Sequence, residues 1–91
     1  MTRPGWELLV APSAERGLAR LPEKAAAAVV EFLIGPLTEE PERVGHRLRG
    51  ELDGLWAARR GPYRVVYEID SPTRQIRVLR IDHRADVYRP R

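Results

Sequence analysis

A chain of 91 residues with no cysteine has room for one modest hydrophobic core, excludes a disulfide framework and thiolate zinc chemistry, and points to a reducing compartment, the cytoplasm. No apolar run approaches a membrane span and the N-terminus lacks a signal-peptide pattern, so residues 1–91 are expected to form a single soluble domain. The net charge of +3 conceals a segregation: residues 1–42 carry four basic groups against seven acids, and residues 43–91 carry twelve arginines against six acids. Lys24 is the single lysine, and the planar fork of arginine suits bidentate phosphate contacts better than an ammonium does.

Trp6-Glu7-Leu8-Leu9-Val10 is a short apolar run ending at Ala11-Pro12 and reads as a first strand. Ser13 is placed to cap a short helix carrying Ala14, Leu18 and Leu21 at helical spacing, which Pro22 stops. Pro22 also opens a second helix, where its missing amide proton costs nothing, and Glu23 suits the helix dipole in the first turn. Ala26, Val29, Val30, Leu33, Ile34 and Leu37 form the apolar stripe of that helix. Gly35-Pro36 predicts a kink or stop, with a last turn to Glu40 and an end at Pro41.

Glu42 to Gly54 reads as loop. Leu55 to Arg60 is a second strand, turning through Gly61-Pro62 into Tyr63-Arg64-Val65-Val66-Tyr67-Glu68-Ile69-Asp70, the central strand by its aromatic and β-branched content. Alternation puts Tyr63, Val65, Tyr67 and Ile69 on a core face and Arg64, Val66, Glu68 and Asp70 on the other. A tight turn leads to Gln75–Asp82, and the tail from His83 to Arg89 is expected to fold back over the sheet. The fold class is therefore α+β: a small, twisted, mainly antiparallel four-stranded sheet with an N-terminal two-helix hairpin packed on it, in the order β-α-α-β-β-β.

Neither histidine belongs to a metal-ligand spacing, and no phosphate loop, dinucleotide fingerprint or Ser-His-Asp signature occurs, so neither a metal nor a cofactor is implied. What remains is basic and aromatic. Arg47 and Arg49 precede the sheet, Arg59 and Arg60 end the second strand, Arg64 begins the third, and His83, Arg84 and Tyr88 leave the fourth. In a meander, Arg59, Arg64 and the His83–Tyr88 tail converge on one edge, an anion site best matched to a nucleic-acid backbone. Cleavage of RNA by its own 2′-hydroxyl needs no metal, only a proton acceptor, a donor and cations for the charged transition state. Arg64 and Arg84 suit the last role; His83 and Tyr88 are the proton-transfer candidates, histidine titrating near neutrality and tyrosine near pH ~10. The alternative for Arg64 and Arg84 is pairing with Glu68, Asp70, Asp82 or Asp86. Tyr63 and Tyr67 read as core, Arg77 and Arg80 as solvated strand positions, and His46 as an exposed loop histidine.

Three stretches, Leu52-Asp53-Gly54-Leu55-Trp56, Arg59-Arg60-Gly61-Pro62-Tyr63-Arg64-Val65-Val66-Tyr67-Glu68-Ile69 and His83-Arg84-Ala85-Asp86-Val87-Tyr88, together with Leu18-Ala19-Arg20-Leu21-Pro22 at the helix turn, resemble the RelE/ParE superfamily of bacterial toxins. The resemblance implies a toxin of a type II toxin-antitoxin system whose RelE-type members are endoribonucleases cutting messenger RNA on the ribosome and neutralised by a RelB-like antitoxin. It implies catalytic roles for Arg64, Arg84 and Tyr88, with His83 and Arg59 at further functional positions, and leaves Arg47, Arg49 and Arg60 as RNA contacts. Where the family carries a first basic residue on the second strand, this chain has Ala57. The ParE branch of the same fold implies the alternative, a non-enzymatic inhibitor of DNA gyrase.

Overall fold

The computed structural model describes residues 5–83 of the chain. Strand β1 (Glu7–Val10) leads into helices α1 (Pro12–Ala19) and α2 (Glu23–Phe32), a π-helical segment over Leu33–Leu37 and the single turn α3 (Pro41–Val44). Strands β2 (Gly45–Arg47), β3 (Trp56–Arg60), β4 (Tyr63–Asp70) and β5 (Gln75–His83) follow, with a 3-10 turn at Gly50–Leu52.

The sheet has five strands in the order β1-β5-β4-β3-β2, not the four expected. The additional strand lies inside the segment read as loop, because three residues with no β-branched side chain carry no strand signal. β4 is indeed central. Its pairings with β3 and β5 and that of β2 with β3 are antiparallel, and β1 runs parallel to β5. Leu79 on β5 is an extra residue, since Val66 pairs with Arg80 while Tyr67 pairs with Val78. This bulge lets Arg77 and Arg80, three apart, both lie on the outer face.

The inner face carries Ala58, Val65, Tyr67, Ile76, Val78 and Ile81, and the helical layer packs Ala14, Val29, Phe32, Leu33 and Leu37 against them. Full burial of each large aliphatic side chain is worth roughly 1.5–3 kcal/mol. Gly17 permits α1 to approach β5 closely, since a Cβ there would overlap the Ile81 carbonyl oxygen. Ser13 does not cap α1: Ala11 holds that position with Pro12 in the first turn. The Ser13 hydroxyl instead donates to the carbonyl of Leu79 at the bulge, an acceptor the irregular ladder leaves available.

Two expectations for the long helix are only partly met. Val30 and Ile34 belong to the apolar periodicity yet are 37% and 62% exposed, their place being taken by Phe32. Gly35-Pro36 does not stop the helix but interrupts its regular form: the backbone widens to π geometry over Leu33–Leu37, and the last turn ends before Pro41 as expected. Thr38 Oγ1 donates to the Ile34 carbonyl at 2.9 Å, a side-chain bond back onto the preceding turn.

Candidate functional site

Strand parity decides which basic residues share a surface, because directly opposed residues on neighbouring strands project to the same face. On the outer face, Arg59 of β3 stands opposite Arg64 of β4, which in turn stands opposite Asp82 of β5. The acids available to neutralise them are committed elsewhere. Glu68 receives Arg77 at 2.9 Å, and Asp82 binds Arg80 at 3.0 Å. Among the described residues, therefore, neither Arg59 nor Arg64 has an ion-pair partner, so the pairing alternative for Arg64 does not hold for Glu68, Asp70 or Asp82. Arg59 is exposed and Arg64 half-buried.

The other expected site residues divide. Arg47 opposes Trp56 and Arg60 opposes Tyr63, so both carry the parity of the core face. Arg49 lies beyond β2, next to the 3-10 turn. His83 opposes Tyr63, and the two rings meet edge to face at 5.4 Å and 88°. That contact directs His83 away from the Arg59–Arg64 face, towards a pocket of about 280 Å³ shared with Gly17, Arg20 and Pro22. Arg84, Tyr88 and Asp86, and the expected fold-back of the tail, lie outside the described residues.

His46 was not among the expected site residues. It is exposed, as read, but lies on β2 opposite Ala57, which opposes Val66. His46, Ala57, Val66 and Arg80 thus form one row across the outer face, beside the row of Arg59, Arg64 and Asp82. What fixes β2 is Tyr67. Its side chain is fully buried and its hydroxyl donates to the Pro41 carbonyl at 2.6 Å; burial pushes the phenol pKa up to about 12. A Cβ on Gly45 would overlap the Tyr67 hydroxyl oxygen and come within 2.7 Å of the Ala57 carbonyl oxygen. The glycine is thus what lets β2 lie flat against β3.

The arrangement is an anion-receptive sheet face backed by a two-helix layer. The family model for the ParE toxin of type II toxin-antitoxin systems (parDE) matches residues 8–88. Toxin RelG of Mycobacterium tuberculosis is 53% identical over 77 residues, which are 85% of this chain and 88% of RelG. Toxin RelE of the same organism is 48% identical over 84 residues, 92% of this chain and 87% of that protein. The crystal structure of the toxin-antitoxin complex RelBE2 from Mycobacterium tuberculosis matches with a TM-score of 0.86 at 46% identity, covering 89% of this chain and 100% of that one. The chain belongs to the RelE/ParE superfamily: it is a RelE-family toxin of the type II toxin-antitoxin class. No helix among the described residues is long and apolar enough to cross a membrane.

Proposed function

We propose that this toxin is an endoribonuclease that cuts messenger RNA engaged by the ribosome in the cytoplasm, as one domain, and is held inactive by a RelB-like antitoxin. The observation that carries the reading is the Arg59–Arg64 pair: two arginines stand directly opposed in the ladder with no ion-pair partner among the described residues, a concentration of positive charge suited to a phosphodiester and its developing negative charge. The route needs no metal. The 2′-hydroxyl attacks the adjacent phosphorus and loses its proton to a base, and the 5′-oxygen departs and gains one. Arg59 and Arg64 stabilise the pentacovalent phosphorus, with Arg84 and Tyr88 assigned by resemblance to charge stabilisation and proton transfer; His83, expected beside them, carries the parity of the other face. The antitoxin reading rests on the RelBE2 complex that this chain resembles.

Induction of the chain in growing cells, with mapping of message ends, tests the reading. Cuts inside codons with loss of translation are expected; supercoiling defects with intact messages would replace it with gyrase inhibition.

A further inference from the structure

A transition state held by two arginines still needs a proton acceptor, and arginine is not one at any ordinary pH. Among the described residues, His83 is turned to the opposite face against Tyr63. Tyr67 is buried beneath the sheet with its proton committed to Pro41. Of the acids on the arginine face, Glu68 and Asp82 are engaged by Arg77 and Arg80, and Asp70 stands at the far end of β4, six residues or about 20 Å from Arg64. His46 remains. It stands on the arginine face, exposed, and diagonal to Arg59 across the β2–β3 ladder, a relationship that separates Cα atoms by about 7–8 Å, within reach of long side chains. From Arg64 it is two strands away, about 10 Å, and offset by two residues, about 7 Å. Only Ala57 and Val66, small and apolar, lie in the row between.

We propose that His46 is the proton acceptor for the attacking 2′-hydroxyl of the RNA, a role that rests on the endoribonuclease reading above. In the step, the 2′-oxygen–phosphorus bond forms as the hydroxyl proton passes to an imidazole nitrogen of His46. The phosphorus–5′-oxygen bond breaks with its electron pair going to the 5′-oxygen. That oxygen takes a proton from a solvent water, and the hydroxide so formed discharges the imidazolium. The products are a 2′,3′-cyclic phosphate end and a 5′-hydroxyl end. Arg59 and Arg64 hold the phosphoryl oxygens on one side, and His46 addresses the ribose on the other.

The test compares wild type, His46→Ala and His46→Gln on ribosomes programmed with a defined message, reading cleavage rate and, separately, affinity for an RNA whose cleavage-site nucleotide lacks the 2′-hydroxyl. Both variants are expected to bind that RNA as wild type does and to cleave about 100-fold more slowly, and free imidazole is expected to accelerate His46→Ala but not wild type. A His46→Ala protein that cleaves within a few-fold of wild type overturns the assignment, and so does a slow variant that imidazole leaves unchanged. A wild type that leaves the message intact overturns the endoribonuclease reading and this proposal with it, whereas an active wild type with an equally active His46→Ala removes only the proton acceptor.

Discussion

Arg59 and Arg64 are directly opposed in the β3–β4 ladder, and no described carboxylate lies between them or beside them in an ion pair. Like charges so placed destabilise a sheet by up to about 1 kcal/mol. The fold bears that cost at the one place where an anion would remove it. Arg64→Ala is therefore expected to leave the melting temperature unchanged or slightly raised while lowering message cleavage about 10²–10³-fold. Thermal denaturation and growth on induction of the same variant check the two halves; a stable variant of full toxicity would remove Arg64 from the site.

Tyr67→Phe removes the hydroxyl that donates to the Pro41 carbonyl within the buried interior. Losing that buried hydrogen bond is expected to cost about 0.5–1.5 kcal/mol, read as a lower urea midpoint with an unchanged slope.

The same residue sets an alkaline limit. The folded-state pKa of Tyr67 is raised from 10.0 to about 12 by burial, so folding favours the protonated phenol. Its contribution is full below the unfolded value of 10.0 and is lost as pH rises towards about 12. Denaturant midpoints across that window should fall in wild type and fall less in Tyr67→Phe.

Gly45→Ala is expected to destabilise by about 1–3 kcal/mol through overpacking, because the new methyl group has the Tyr67 hydroxyl and the Ala57 carbonyl in its way. Since β2 also carries His46, cleavage by the residual folded protein should fall as well. Specific activity corrected for the folded fraction separates the two effects.

Pro36→Ala should stabilise by clearly less than the ~3 kcal/mol that proline costs inside a regular helix. The π geometry over Leu33–Leu37 already accommodates the missing donor. Thermal melts of Pro36→Ala beside wild type measure the difference.

Much of this was legible in the sequence. The two faces of β4 follow from alternation alone: Val65 and Tyr67 are fully buried and Arg64 lies opposite them. The meander register that brings Arg59 to Arg64 follows from the tightness of the Gly61-Pro62 turn. The family itself was visible in the motifs. What stayed hidden depends on distant contacts. Gly45–Arg47 is a strand because Tyr67, more than twenty positions later, needs a glycine above its hydroxyl. Once that strand is invisible, the face of His46 is too. The meander does bring His83 to the same edge as Arg64, but an edge is not a face, and parity sets His83, Arg60 and Arg47 on the other side of the sheet. Val30 and Ile34 fit the helical period as well as Val29 and Leu33 do, and only the shape of the sheet beneath selects between them.

The bulge at Leu79 makes β5 a strand written in two phases. Upstream, even-numbered positions such as Ile76 and Val78 point inward; downstream, it is Ile81 that does so, and Arg80 and Asp82 point out. Deleting Leu79 alone would remove the bulge and leave a regular alternation, with Val78 still opposite Tyr67, Arg80 still opposite Val66, and Ile81 still inward. A one-residue deletion between Arg80 and Ile81 or an insertion beside them would instead slip the remainder of the strand by one position and exchange its faces. The spacing between the apolar residues of β5 is therefore as much a determinant of the charged face as the charged residues themselves.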